Sequence, residues 1–160
     1  MLRSELEKIL ARLLELNAVF SFGFIHNSRD MTQGLGQASG NFLYLIEDVG
    51  RDGFNGFVIE PAEGAKDLYL VAENWKLIVS IRCVDRFLIL KRLIGQLILE
   101  TPGVSIQING YSTDAEIIYE DETGEKLTSD IDIIRINFTI RKGVTTSGLD
   151  CQPICDADCC

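Results

Sequence analysis

The chain has 160 residues, of which 46% are hydrophobic and 24% are charged, and its formal net charge at pH 7 is -9. This composition is typical of a folded domain and excludes a wholly disordered chain. The acidic balance argues against non-specific binding to nucleic acid, since that binding needs Lys and Arg to displace counterions from phosphate. The length predicts one compact domain with appendages.

The sequence contains no sign of a membrane span or a secretory leader. No apolar run reaches about 18 residues, the minimum expected for a membrane helix. The first residues, MLRSELEKIL, are charged from Arg3 onward and lack the apolar core of a signal peptide. We therefore expect synthesis in a reducing cytoplasm, where stable disulfides are not the default.

The N-terminal segment, residues 2–16, predicts an amphipathic helix. Ser4 and Glu7 have the spacing of a capping box, in which each side chain bonds the other's backbone N–H. We expect the apolar stripe to face the core; it consists of Leu2, Leu6, Ile9, Leu10, Leu13 and Leu14.

Residues 17–26 are rich in strand-forming residues and predict a strand that ends at His26. Residues 27–41 then form a polar stretch rich in Gly, Ser, Asn and Gln, and loops of that length are usually functional or mobile. The GLGQASG sequence within it (34–40) lacks the spacing and the following helix of a phosphate-binding loop. An interaction loop is therefore favoured over a nucleotide site.

The middle of the chain predicts strands at 41–49 and 57–60, followed by a hairpin over 67–85 with its turn near Glu73 and Asn74. The second arm of that hairpin alternates cleanly, as a half-buried antiparallel strand does. Its apolar face consists of Trp75, Leu77, Val79, Ile81 and Cys83, and Cys83 is most simply a buried core residue.

Residues 86–101 predict a second helix, with Asp85 as N-cap and Pro102–Gly103 as the stop. Its apolar residues cover more than half of the helix circumference, which one sheet cannot bury. Either other elements of the same chain cover the remainder, or a neighbouring subunit does.

The last third of the domain predicts a strand at 104–110 and a long hairpin or extended arm over 115–142, with ETGE at its tip. A change of alternation predicts a bulge near Ile133 and Ile134. The fold class is therefore α+β: an antiparallel sheet packed against two helices, with a long β-hairpin arm and an extended C-terminal tail. We expect a single domain over 1–142 and a cysteine-containing extension over 143–160.

No motif predicts catalysis or cofactor binding. His26 is the only histidine, and nothing beside it in the sequence marks a nucleophile or a catalytic carboxylate. The acidic DETGE segment lacks the alternating oxygen ligands of a calcium loop. The sequence therefore predicts no catalytic residues and no cofactor.

The C-terminal segment holds four of the five cysteines, in the pattern C-x3-C-x3-C-C. They are weak candidates for metal ligands, because adjacent terminal cysteines are poorly placed to fill two corners of a zinc tetrahedron. Late disulfides, or burial against a neighbour, are the alternatives. We favour a docking or cross-linking extension; the four residues are Cys151, Cys155, Cys159 and Cys160.

The order of elements over residues 2–142 resembles the tail-terminator and tail-completion family of tailed bacteriophages. The resemblance lies in the leucine-rich first helix, the alternating strand WKLIVSIRCVD with a helix directly after it, and the final strand SDIDIIRINFTIRK. It implies a non-enzymatic structural subunit of the virion, assembled in the host cytoplasm. In that family a small α+β subunit forms a ring that caps the tail tube and joins it to the head connector.

The resemblance also implies partners. We expect a homo-oligomeric ring of sixfold or twelvefold symmetry that contacts neighbouring neck and tail proteins, lets DNA pass without specific binding, and touches no membrane. The interface candidates are the 27–41 loop, the arm at 115–130 and the tail at 143–160. The alternatives are a head-to-tail adaptor, a small α+β enzyme or ligand-binding protein with a pocket near the 27–41 loop, and a metal-dependent adaptor that uses the cysteine tail.

Overall fold

The structure, a computed structural model, describes residues 2–17, 23–26, 42–47, 57–64, 66–80, 85–115, 118–120, 126–128 and 133–145. This part of the chain forms an α+β fold. No helix within it is long and apolar enough to cross a membrane. The elements in chain order are α1 (Arg3–Leu16), β1 (Gly23–His26), β2 (Phe42–Glu47), β3 (Phe57–Pro61), β4 (Leu68–Ser80), α2 (Arg86–Leu97), β5 (Val104–Ala115), β6 (Ile118–Glu120), β7 (Lys126–Thr128) and β8 (Ile133–Thr145).

Six of these strands form one sheet in the order β1-β2-β4-β8-β5, with β3 paired to β4. All pairs are antiparallel except β1 and β2, which run parallel at the edge. Parallel neighbours need a long connection, because the chain must return to the same end of the sheet before the second strand starts. The length of the 27–41 segment therefore has a topological reason, independent of any role in binding.

The hairpin predicted over 67–85 is wrong. β4 is one continuous strand, and it pairs with β8 without a break from Leu68 opposite Thr145 to Ser80 opposite Ile133. Glu73, placed at the predicted turn, is buried in the middle of β4. Its carboxylate accepts hydrogen bonds from the Leu2 backbone N–H and from the Trp75 indole N–H, each 3.1 Å long. A polar residue is tolerated in mid-strand here because both of its oxygens have donors.

Strands β2 and β3 lie end to end along one side of β4. Glu47, the last residue of β2, pairs with Trp75, and Phe57, the first residue of β3, pairs with Glu73. Only Asn74 separates the two pairings. The two strands therefore act as one interrupted strand along β4.

Both helices pack on one face of the sheet, and the main core lies between them and the strands. The alternation predicted for Trp75, Leu77 and Val79 is confirmed, since all three are buried on this face. The principal buried residues are Leu6, Ile9 and Leu13 of α1, Leu90, Leu93 and Leu97 of α2, and Leu43, Leu45, Val71, Trp75, Leu77, Val79, Ile134, Ile136, Phe138 and Ile140 of the sheet.

The helix ends follow the predictions only in part. α1 has Leu2 at its N-cap with no side-chain cap, so the predicted capping box is wrong. Ser4 lies inside the helix and donates to Glu5 instead, at 2.8 Å. Asp85 caps α2 as predicted and accepts from the Leu88 N–H at 3.0 Å. α2 ends at Leu97, earlier than the sequence pattern suggests.

The irregularity predicted near Ile133 and Ile134 lies on the neighbouring strand. β8 pairs evenly with β4, whereas β5 has register shifts between Ile108 and Gly110 and between Ser112 and Ala115. Ile133 and Ile134 are both fully buried, on opposite faces of the sheet. Their change of alternation therefore reflects burial on both sides and not an extra residue.

The predicted arm is described only in part. β5 extends to Ala115 and β8 continues to Thr145, so both strands belong to the main sheet beyond the predicted limits. β6 and β7 pair antiparallel, with Ile118 opposite Thr128. The predicted tip at 122–125 lies outside the described residues.

Candidate interaction surface

The outward side of α2 is apolar. Leu90, Leu93 and Leu97 anchor the helix in the core, and the residues on the other side face solvent. Single exposed apolar side chains are ordinary, but a row of them along one helix marks an interaction surface. We call this surface the α2 face; its large apolar members and their exposed fractions are Phe87 (63%), Leu88 (42%), Ile98 (50%) and Leu99 (53%).

The α2 face is also cationic. The helix contains Arg86, Lys91 and Arg92 and no carboxylate. Lys91 and Arg92 lie among the exposed apolar residues by helical spacing, and both are exposed. No salt bridge between described residues involves either of them, whereas Arg86 is paired with Asp114 at 2.8 Å. The face therefore combines apolar side chains with two cations that are available to another surface.

Hydrogen bonds hold both ends of α2 in place. At its start, Asp85 caps the helix, and Arg86 donates to the Thr113 carbonyl of β5 at 2.9 Å. At its end, the Arg12 guanidinium of α1 donates to the Gln96 carbonyl and to the Thr101 hydroxyl, both at 3.0 Å. Arg12 thus satisfies the free carbonyls of the helix end and places a cation at the negative end of the helix dipole. The α2 face is therefore presented on a fixed support.

A second exposed apolar surface lies at β3 and the adjoining start of β4. Val58 (50%) and Leu70 (49%) are exposed on the sheet face turned away from the helices, where Leu70 lies opposite Glu60. Ile59 (38%) is exposed at the same strand on the other face, opposite Val71. Among the described strands, β3 pairs only with β4. Its other edge has no partner among these strands, and such an edge can pair with a strand of another chain. We call this surface the β3 patch.

The β3 patch is acidic. Glu60 is exposed on β3, and the turn that follows contains exposed Glu63, Lys66 and Asp67. Three carboxylates against one ammonium group leave an excess of negative charge. Gly64 and Asp67 adopt positive φ angles of 74° and 64°, which fold this turn back into β4.

The α2 face and the β3 patch lie toward opposite edges of the subunit. The strand order from one side to the other is β3-β4-β8-β5. α2 packs over β5 and β8, while β3 is at the far side of β4. One subunit therefore displays a cationic apolar surface toward one edge and an acidic apolar surface toward the other.

A buried polar cluster fixes α1 to the sheet. Glu5, only 7% exposed, pairs with Lys142 of β8, and the Glu73 carboxylate of β4 receives the Leu2 N–H. Burial by itself raises the pKa of Glu5, but the hydrogen bonds from Lys142 and Ser4 and the charge of Lys142 outweigh it, so the pKa lies below its usual value. The pair is partly buried, with 34% of the Lys142 side chain exposed, and it positions the helix.

The sheet face turned away from the helices is polar in its middle. The Asn109 amide donates to the Thr139 hydroxyl, which donates to the Asn74 side chain, and both bonds are 2.7 Å long. Toward the end at β2, Tyr44 is buried, and desolvation raises its pKa to about 12. The phenol therefore stays neutral at any ordinary pH, and these groups support the sheet.

The predicted site residues fall mostly outside the described part of the chain. This holds for Cys151, Cys155, Cys159 and Cys160, for Cys83, and for the 27–41 loop. His26 belongs to β1, whose backbone alone is described. In the described part of the chain, no group of three or more His, Cys, Asp or Glu side chains is placed to hold a metal ion.

Neither surface was among the predicted interface candidates, which were the 27–41 loop, the arm at 115–130 and the tail at 143–160. The wide apolar coverage of residues 86–101 did predict that this helix needs cover, either from the same chain or from a neighbour. The β3 patch gave a weaker signal, the adjacent apolar residues Val58 and Ile59 in a strand too short to show alternation.

The sequence matches no protein-family model, and no curated protein matches it.

Proposed function

We propose that the protein is a structural, non-enzymatic subunit of a homo-oligomeric ring in the neck or tail of a bacteriophage virion, like a tail terminator. The single observation that carries the proposal is the exposed, apolar and cationic α2 face. It is the surface that a subunit interface requires, and it is built on a helix whose ends are both fixed.

The energetics of the α2 face favour association over a free surface. Fully burying a side chain such as Phe or Leu is worth about 1.5–3 kcal/mol relative to leaving it in water. Phe87 and Leu88 at the start of the helix, and Ile98 and Leu99 directly after its end, remain at least two-fifths exposed in the single chain. A neighbouring subunit that covers them recovers part of this free energy, and the fixed helix ends keep the ordering cost low.

The remaining features fit a ring through which DNA passes. The resemblance in element order to tail terminators suggests the location in the virion and the partners, which are a head connector and a tail tube. The net charge of -9 lets DNA move through the ring without being held, since like charge opposes phosphate contacts. Ring symmetry, sixfold or twelvefold, brings the same pair of surfaces together at every interface.

The mass of the purified protein tests this proposal. Sedimentation equilibrium over a wide concentration range is expected to show reversible association, and electron microscopy of the associated species is expected to show closed rings. Assembled tail tubes and connectors from tailed phages serve as binding partners in a second assay. A chain that remains monomeric at every concentration and binds neither structure contradicts the proposal.

A further inference from the structure

We propose that the α2 face of one copy docks on the β3 patch of the next copy, so that the ring is built from head-to-tail contacts. The inference rests on the proposed function, because it presupposes that copies of this chain associate. It names the two surfaces that meet and the chemistry that joins them.

Charge complementarity identifies the β3 patch of a second copy as the surface that covers the α2 face. The α2 face offers Lys91 and Arg92 beside exposed apolar side chains, and the β3 patch offers Glu60 and Glu63 beside exposed apolar side chains. The excess charge of each of these two groups is opposite to that of the other. An apolar centre with opposite charges around it is the arrangement of a specific interface.

The same charges argue against a two-fold contact of like surfaces. If two α2 faces met about a two-fold axis, Lys91 and Arg92 would face their own counterparts across an apolar contact. Like charges brought together in such a contact cost several kcal/mol. Two β3 patches would bring Glu60 and Glu63 together with the same penalty. Only the mixed pairing brings opposite charges together.

The placement of the surfaces in the fold allows such contacts to form a ring. A head-to-tail interface leaves one free copy of each surface after every addition, so association continues until the rotation closes. The α2 face lies over β5 and β8, while the β3 patch is across β4 at the other side of the sheet. Surfaces at opposite edges permit a neighbour on each side of every subunit.

Gly95 gives separate support for close approach of another chain. It lies in the middle of the α2 face, is exposed, and has nothing within 4 Å of the position that a Cβ would take. No contact with the described residues therefore requires glycine there, and glycine in a helix interior costs about 1 kcal/mol relative to alanine. An approaching backbone is a reason to keep the position without a side chain.

Charge reversal on each surface tests the pairing. The first variant combines Lys91→Glu with Arg92→Glu, and the second combines Glu60→Lys with Glu63→Lys. Each variant alone is expected to associate at least about tenfold more weakly than the wild type, as a loss of about 1.4 kcal/mol or more implies. An equimolar mixture of the two is expected to regain association, because every interface then joins complementary charges.

The controls separate this inference from the proposed function. Lys8→Glu, on the outward side of α1, is expected to leave association unchanged, and thermal unfolding checks that every variant is folded. If the wild type associates but the Glu60→Lys, Glu63→Lys variant associates equally well, the head-to-tail pairing is wrong and the ring proposal stands. The pairing is also wrong if both variants are weakened and their mixture does not recover. A wild type that never associates contradicts the proposed function itself.

Discussion

The two helices bury similar faces and expose different ones. α1 sets Leu6, Ile9 and Leu13 into the core, and α2 does the same with Leu90, Leu93 and Leu97. The outward side of α1 is polar and includes the exposed salt bridge between Arg3 and Glu7, 3.2 Å long. α2 and the two residues that follow it display four large exposed apolar side chains, Phe87, Leu88, Ile98 and Leu99.

This difference supports the proposal that α2, unlike α1, takes part in a contact between copies of the chain. A helix covered on one side by its own sheet needs polar residues on the other side to stay soluble, and α1 has them. α2 has exposed Lys91 and Arg92 on that side, but beside them stand the exposed apolar residues Phe87 and Leu88. Under the proposed function, a neighbouring copy covers these apolar residues.

The largest expected effect concerns the buried faces of the two helices, which are alike. Leu13→Ala in α1 and Leu93→Ala in α2 each remove a side chain that is at most 1% exposed, and each is expected to lower the free energy of unfolding by about 3 kcal/mol. Chemical denaturation of the monomer measures both. If Leu93→Ala costs less than about 1 kcal/mol, the inner side of α2 is not the core contact described above, and the comparison between the helices fails.

The next effect concerns how α1 is attached. Glu5→Gln removes the charge that pairs with Lys142 and is expected to cost about 2 kcal/mol at neutral pH. Because the pKa of Glu5 is lower in the folded state than in the unfolded chain, the pair contributes fully above the unfolded-state pKa. That contribution is lost as the pH falls through the folded-state pKa. The unfolding free energies of wild type and variant are therefore expected to converge in acid.

Glu7→Gln is the matched control for Glu5→Gln. Glu7 pairs with Arg3 on the exposed side of the same helix, with 59% of its side chain accessible, and such pairs contribute little. Its removal is expected to leave the pH dependence of unfolding unchanged. An equal response to the two substitutions contradicts a specific role for the buried pair.

The smallest expected effect comes from a substitution that raises the stability of the single chain and weakens its association. Gly95→Ala adds a methyl group in open space and is expected to stabilise the single subunit by about 1 kcal/mol, seen as a higher melting temperature. Association is expected to weaken, because the methyl group occupies the place of close approach. Ala11→Gly on the exposed side of α1 is the converse control and should lower stability with no effect on association. If Gly95→Ala raises stability and also strengthens association, the α2 face does not contact another backbone.

The helices and most strands follow from the sequence because their patterns are local. Leucines at helical spacing predicted α1 and α2, and Asp85 predicted the start of α2. The continuous β4 was missed because Glu73 and Asn74 are typical of turns. Glu73 is stable in mid-strand only because Leu2 and Trp75 donate to it. A single sequence does not reveal the contact with Leu2.

The features of the candidate site also divide into those that local sequence predicts and those that it does not. The apolar excess of α2 is a local property, and it predicted that the helix needs cover from the same chain or from a neighbour. The β3 patch and the Glu5–Lys142 pair depend on which distant segments become neighbours. Glu5 and Lys142 are separated by 137 positions in the chain, and nothing in the residues around either one indicates the other. Such contacts become visible only once the strand order is known.

The most direct test of the central claim is the same substitution made on the two helices. Leu88 of α2 and Leu16 of α1 are both exposed leucines, at 42% and 54%. If the α2 face is the subunit interface, Leu88→Ser weakens association measured by sedimentation equilibrium about tenfold, while Leu16→Ser leaves it unchanged, and neither substitution alters monomer stability by more than about 0.5 kcal/mol. Equal association of the two variants contradicts the assignment of the α2 face as the interface.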